Sequence, residues 1–352
     1  MERPGASWIS AHFFYHGDLG ALLVECVQPL LARLEEKALI DAYFFVRYWQ
    51  GGPHLRLRLL PRAAEDAAQI RDEVRRAATQ YFQHHPAPDS LDAARYQELS
   101  GYLSYIEYGY DQRGPLYPNN SLHFLPYVPE YEHYGGQQAM PYIEKHFWES
   151  STIALAFLTR SADRKQRTAH CLATMLLSAA LADPDRAATA RVIEQFSSSW
   201  ERMPASLRTQ LLASFDQGYE RQRQHLSQMC ELLLRLSSQP EPDLEHAGPA
   251  TAVASWQRSI RQLYRRLSAL EQAGLLYSQQ LSPEPPATLR RARPISLSLP
   301  LTILLRCAHM HNNRLGLSIV EEAYVLHLLK RALEEGGETR NQLPAAEEGR
   351  PL

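Results

Sequence analysis

Apolar and aromatic residues open the chain in tight alternation: Trp8 to Tyr15 (WISAHFFY) predicts a strand. Gly20 to Lys37 follows, with Leu22, Leu23, Cys26, Val27, Leu30, Leu31 and Leu34 at helical spacing. Ala42 to Trp49 and His54 to Leu60 are rich in aromatic and aliphatic residues and flank Gln50-Gly51-Gly52-Pro53, a hairpin signal. A helix from about Ala63 to Phe82 is closed by His85-Pro86-Ala87-Pro88. Tyr102 to Pro129, tyrosine-rich with short apolar alternations, predicts two or more strands. From Pro141 to about Cys230 the helical period dominates, punctuated by Pro184 and Pro204. Ser237 to Pro249 reads as a mobile loop, and helices resume at Thr251 to Ala273 and Ser296 to Glu335. Strands first and helices later give an α+β fold. Residues 1–335 read as a single domain, and 336–352 as a polar tail.

Composition narrows the function classes. Of 352 residues, 45% are apolar and 22% charged, an ordinary globular balance. A net charge of −2 provides no global field for nucleic acid or an anionic membrane. The cysteines, Cys26, Cys171, Cys230 and Cys307, are too dispersed for a disulfide scaffold or a zinc site. Met1 to Ser10 lacks a charged segment followed by an apolar one, and no apolar run has membrane-spanning length, so a cytoplasmic location is expected. There is no GxSxG, phosphate loop or dinucleotide fingerprint, and neither metal nor organic cofactor is expected.

Three segments carry candidate chemistry. On the second hairpin strand His54, Arg56 and Arg58 share one face and Leu55, Leu57 and Leu59 the other. Crowding an imidazole and two guanidiniums is costly unless an anion or polar ligand compensates it; the alternative is a solvated outer face. Tyr127-Val128-Pro129-Glu130-Tyr131-Glu132-His133-Tyr134-Gly135-Gly136 combines carboxylates, phenols and a histidine, and by spacing alone reads as a surface turn. Cys307-Ala308-His309-Met310-His311-Asn312-Asn313-Arg314 places two histidines two residues apart, which excludes a shared helical face and a zinc pair. A packed core histidine is the plainer reading of His309.

In order, FFVRYWQGGPHLRLRL, PEYEHYGG with Phe147 and Ser150-Ser151 after it, and HMHNNRLGL with Glu321-Glu322 resemble the lantibiotic-dehydratase C-terminal family over about Trp8 to Leu333. This family is also called the thiopeptide-type bacteriocin biosynthesis family. The resemblance implies an enzyme of ribosomal-peptide maturation acting on a leader-bearing precursor. In its eliminating members, arginines of the HLRLR strand and the histidine of the HMxxNR motif remove glutamate from glutamyl-Ser/Thr; these are Arg56, Arg58 and His309 here. Candidate catalytic residues are therefore His54, Arg56, Arg58 and His309. Candidate substrate-binding residues are Arg47, Tyr48, Trp49, Glu130, His133, Tyr134, Asn313 and Arg314.

Two departures point away from elimination. Full-length dehydratases carry an additional glutamylating domain, for which the sequence leaves no room. Eliminating members also have an arginine where this chain has His133, and an acidic residue after Arg-Tyr where it has Trp49-Gln50. Fewer guanidiniums and more uncharged aromatic surface suit a neutral, dehydrated, azole-containing peptide. The leading expectation is a thiopeptide pyridine synthase, joining two dehydroalanines in a formal [4+2] cycloaddition with loss of water and leader. Proton transfer falls to His309 or His54, carbonyl binding to Arg56 and Arg58, stacking to Tyr48, Trp49 and Tyr134. The alternatives are a split glutamate-elimination subunit, a peptide aminoacyl-tRNA ligase and a non-catalytic leader-binding subunit. The partner is a leader-bearing peptide containing dehydroalanines. No membrane is expected, nucleic acid enters only as tRNA in the ligase reading, and a homodimer is left open.

Overall fold

The computed structural model describes residues 7–89, 91–108, 114–160, 163–197, 205–239, 251–277 and 297–338. Strands β1 (Ile9–Phe14), β2 (Ile40–Tyr48), β3 (His54–Pro61) and β4 (Ser121–Phe124) form an antiparallel sheet in the order β2-β3-β1-β4. Alternation fixes its faces. Ala11, Phe13, Phe45, Leu55, Leu57 and Leu59 point to one side and are each 0% exposed. That side packs on helices before and after the hairpin.

The helix expected from Gly20 to Lys37 is present but irregular. Helix α1 (Leu19–Ala21) passes through a π-helical turn (Leu22–Val27) into α2 (Gln28–Glu36). The Gln28 N–H bonds the Leu23 carbonyl, five residues back. Pro29 accounts for the widening, because it has no N–H to give and its ring would press on the Glu25 carbonyl of a regular helix. Helix α3 (Ala67–His84) ends before Pro86, as its sequence predicts.

One expectation fails. Between the tyrosines of 102–129, the described residues hold helix α4 (Ala93–Tyr108) and the single short strand β4 rather than a strand pair. Tyr96, Ser100 and Ser104 recur every four residues and are at most 1% exposed, so the helix buries one narrow stripe. Two of the three are serines, which a hydrophobic pattern does not count.

The remaining chain is helical: α5 (Met140–Arg160), α6 (Arg164–Ala179), α7 (Arg186–Ser197), α8 (Ala205–Glu220), α9 (Arg223–Ser238), α10 (Thr251–Gln272), α11 (Leu299–Leu315) and α12 (Ile319–Glu338). The architecture is α+β. Every residue of α6 from His170 to Ala179 is buried, which places that helix at the centre of the bundle. The loop expected at Ser237 to Pro249 lies outside the described residues from 240 onward, as does the tail from 339.

Sheet and bundle meet at the outer edge of β2. Its inner backbone groups pair with β3, leaving those of Phe45 and Arg47 facing outward. The Phe45 N–H donates to Ser151 Oγ of α5 at 3.1 Å. The Arg47 N–H donates to Asn313 Oδ1 of α11 at 2.9 Å, and Asn313 Nδ2 returns a bond to the Arg47 carbonyl at 2.9 Å. The carboxamide thus stands in for one residue of a fifth strand. Replacing it orphans a donor and an acceptor at once, so Asn313→Ala is expected to cost about 1–3 kcal/mol in urea unfolding. A loss well below about 0.5 kcal/mol would show that the edge does not depend on it.

Candidate active site

The sheet face opposite the leucines is covered. Register pairs Ser10 with Arg58, His12 with Arg56 and Phe14 with His54, while Phe44, Val46 and Tyr48 flank the same three residues from β2. His54 is 0% exposed and Arg58 7%, which excludes a solvated outer face.

The hairpin turn holds this row in place. Gly51 and Gly52 have φ of 89° and 106°, a region that L side chains rarely enter. The Gly51 N–H donates to Tyr96 Oη of α4 at 2.7 Å, and the Gly51 carbonyl accepts from the Tyr117 N–H at 2.8 Å. His54 Nδ1 lies 2.8 Å from the Gly52 carbonyl, an acceptor, so that nitrogen carries the proton. Its Nε2 is then the acceptor for Arg56 Nε at 3.0 Å. Arg56 lies 3.5 Å over the Tyr48 ring, and Tyr48 stacks on Trp49.

Aromatic rings floor the site. Phe14 stacks between His54 and Tyr117, at 4.4 Å from each, and His12 stacks on His54 at 5.2 Å. Burial above all pushes His54 down to about 3 and His12 to about 2. The sequence gives His54 a share of proton transfer; in the structure its two ring nitrogens are engaged by the Gly52 carbonyl and by Arg56 Nε.

Arg58 lies deeper, beside the rings of Phe44 and Tyr127. Its Nε and Nη1 have no hydrogen-bond partner among the described residues. Arg314, fully buried on α11, donates to Ser151 Oγ at 3.0 Å and Ser150 Oγ at 3.4 Å, and its Nη2 is likewise unbonded. Burial pushes both guanidiniums down to about 10, with Arg56 the next influence on Arg58, and both stay charged at neutral pH. Two buried cations without a bonded carboxylate form a strongly electropositive interior.

The other candidates are dispersed around this centre. Arg47 alternates with Tyr48 and so lies on the leucine side, where Nε donates to the Arg314 carbonyl at the C-terminal end of α11. Tyr134 is 5% exposed and packs edge-on against Phe147, a core position rather than a stacking surface. Residues 131–135 form the turn that the spacing predicts, but not wholly at the surface, since Tyr134, Gly135 and Gly136 are buried; both glycines have positive φ, and Arg306 donates to the His133 carbonyl at 2.6 Å. Glu130 is exposed and adds to the charges acting on Arg58. His309 is half exposed and pairs with Glu322 at 2.6 Å, not packed in the core. The core histidine of that motif is His311, whose Nδ1 is 2.9 Å from Ser150 Oγ and whose Nε2 is 3.0 Å from His170.

Sequence reasoning missed His12, Phe14, Tyr117 and the His146, His170 and His311 group. The first two share the register of Ser10 in WISAHFFY, so period-two alternation could have placed them on one face. Tyr117 and the bundle histidines are assembled by long-range packing and have no local signal. Among the described residues no three His, Cys, Asp or Glu are placed to hold a metal ion. No described helix is long and apolar enough to cross a membrane.

A profile described as lantibiotic biosynthesis dehydratase C-terminal matches residues 8–333. The chain belongs to that family. Among solved structures, the pyridine synthase TbtD from thiomuracin biosynthesis is similar, with 19% identity, a TM-score of 0.74, and 94% of this chain and 99% of that one covered. TsrL is similar at 17% identity and a TM-score of 0.67, covering 95% and 96%. The tRNA-dependent lantibiotic dehydratase MibB from Microbispora sp. 107891 shares 18% identity at a TM-score of 0.57. That match takes in 97% of this chain and 29% of MibB. No curated protein sequence matches.

Two measurements test the electrostatics of this family member. His12, His54, His146 and His170 are held down to about 2, 3, 3 and 4, burial being the first cause in each. Below about pH 6.5 the unfolded chain takes up protons that these folded rings refuse, so stability falls as pH drops towards the folded values. The urea midpoint is expected to be lower at about pH 5 than at about pH 7; equal midpoints would contradict the burial. Arg58→Met removes a buried charge without orphaning a bonded partner, so its thermal midpoint should hold or rise. A fall of more than about 5 °C would mean that the guanidinium is structurally paired.

Proposed function

We propose that the chain is a thiopeptide pyridine synthase, closing a pyridine-centred macrocycle from two dehydroalanines of a leader-bearing peptide. In this reading the amide of one dehydroalanine tautomerises to its iminol, giving a 2-azadiene with its alkene. The second alkene adds across that diene, and loss of water and of the leader makes the ring aromatic.

The observation that carries the reading is the pair Arg56 and Arg58 on a covered, aromatic-floored sheet face, with open donors on Arg58. Such donors bind a carbonyl oxygen and stabilise it as the iminol develops. Tyr48 and Trp49, both partly exposed, would offer a stacking surface to neutral, azole-bearing substrate. In this reading proton transfer falls to His309, which is half exposed and paired through Nδ1 with Glu322. The likeness to TbtD over nearly the whole of both chains supports the same assignment. Holding both alkenes in register replaces a bimolecular entropy cost, which the binding energy of a remote leader supplies.

One observation favours a second reading. Unbonded buried guanidiniums on Arg58 and Arg314 also suit a carboxylate, as a glutamate-elimination subunit requires. Mass spectrometry separates the two. A synthetic leader-bearing peptide with two dehydroalanines is expected to lose water and leader, while a glutamylated serine peptide returns unchanged. Arg56→Ala and Arg58→Met should slow ring formation by about 10²–10³-fold. An unchanged bis-dehydroalanine peptide, or loss of glutamate from the other substrate, would overturn the proposal.

A further inference from the structure

The two edges of the sheet are treated differently. The outer edge of β2 is capped by Ser151 and Asn313, but among the described residues the outer edge of β4 has no such cap. The Leu125 N–H bonds the Ser10 carbonyl, and the pairs His12–His123 and Phe14–Ser121 continue the register. Pairing alternates along an antiparallel ladder, so the backbone groups of Leu122 and Phe124 point away from β1. No hydrogen bond among the described residues uses them. Unpaired strand backbone is a template for another strand, and a fold that leaves it open beside a groove offers a binding edge.

The groove is present. Helix α3 flanks β4, and between them lies a cavity of about 490 Å³ lined by Arg75, Thr79, Phe82, Gln83, Leu122 and Phe124, among others. Its lining combines the apolar Phe82, Leu122 and Phe124 with the polar Arg75, Thr79 and Gln83. Arg71 and Arg75 stand over the Phe124 ring at 4.8 and 5.2 Å, which directs two cations to the end of the strand. Arg75 pairs only with the exposed Asp72, and Arg71 has no carboxylate partner among the described residues.

We propose that the free edge of β4 is the docking strand for an extended segment of the precursor peptide, which pairs with the Leu122 and Phe124 backbone. Alternate side chains of that segment enter the α3–β4 groove, two of them apolar against Phe82, Leu122 and Phe124. An acidic residue at one end meets Arg71 and Arg75. The cationic rim selects an acidic peptide over other occupants. A second copy pairing through four residues buries far less than the roughly 1,200 Å² of a stable interface. Because Ser121 and His123 pair with Phe14 and His12 of the candidate site, a peptide on this edge has two strands, β4 and β1, between it and Arg56. The inference rests on the peptide-tailoring reading above and locates the part of the substrate that does not react.

The test uses the full chain and a synthetic leader segment of the precursor encoded beside it, with hydrogen exchange as readout. The Leu122 and Phe124 amides are expected to exchange more slowly with the peptide bound. N-methylation of alternate peptide amides should abolish that protection in one phase of the alternation and spare it in the other. The double variant Arg71→Glu/Arg75→Glu should bind about tenfold or more weakly with its thermal midpoint retained. Absence of binding, binding with β4 exchange unchanged, or protection of both amides in the free chain would overturn the proposal. Concentration dependence in that last case identifies a second copy, and its absence a segment of the chain itself. Ring formation with an unprotected β4 defeats the docking site alone; protection without ring formation defeats the pyridine-synthase reading alone.

Discussion

The carboxamide of Asn313 makes two bonds that the rest of the molecule depends on. An antiparallel edge strand with alternating outward N–H and carbonyl groups is either solvated or paired, and β2 is neither open nor paired with a strand. Asn313 and Ser151 complete it with side chains. That arrangement fixes how closely α5 and α11 approach the sheet, and so where Arg314, next along α11, enters the core. Arg47 tightens the same joint from the leucine side by bonding the last turn of α11. Its guanidinium also packs so closely on Gly316, at φ 84°, that a Cβ there would lie 2.9 Å from Arg47 Cζ. The HNNR run is therefore foremost a structural clasp, and it delivers a buried cation as a consequence.

The second constraint is electrostatic. Arg58 and Arg314 are buried among aromatic rings and serine hydroxyls, with no carboxylate bonded to either. Burying a charge in this way is unfavourable for folding, and folds retain such strain where a ligand repays it. Two neighbouring histidines relieve the repulsion by remaining neutral: His54 gives its lone pair to Arg56, and His12, pushed down chiefly by burial, keeps to the hydroxyl of Ser10. The result is a row of donors aimed at one covered face, in surroundings that contain few acceptors. On the proposed reading, a peptide carbonyl supplies the acceptor that this face lacks.

Much of this was legible in the sequence, for identifiable reasons. Period-two alternation in HLRLRLL separates leucines from His54, Arg56 and Arg58 without any knowledge of the fold, and Gly51-Gly52 marks the turn that anchors them. The same logic did not reveal that the polar face is covered, because Phe14 and Tyr117 come from strands and loops far away in the chain. His309 and His311 illustrate a signal present but unused. Leu304, Cys307, Ala308, His311 and Leu315 recur at helical spacing and lie inward, which leaves His309 outside. The tyrosines from Tyr102 onward suggest strands, but 102–108 continue α4, whose buried stripe of Tyr96, Ser100 and Ser104 offers a hydrophobic pattern little to count. The tilt of Arg314 into the core, by contrast, depends on Ser150 and Ser151 of another helix and has no local signature.

The central claim is that the covered face of the sheet holds the reacting carbonyl against Arg56 and Arg58. A crystal structure with a leader-bearing peptide in which alanine replaces one of the two dehydroalanines would test it most directly, because that substrate binds but cannot close the ring. The account predicts the carbonyl oxygen that acylates the nitrogen of the remaining, diene-forming dehydroalanine within about 3 Å of Arg58 Nε or Nη1, and its side chain against Tyr48. A peptide seated elsewhere, with the Arg58 donors still unbonded, would contradict it.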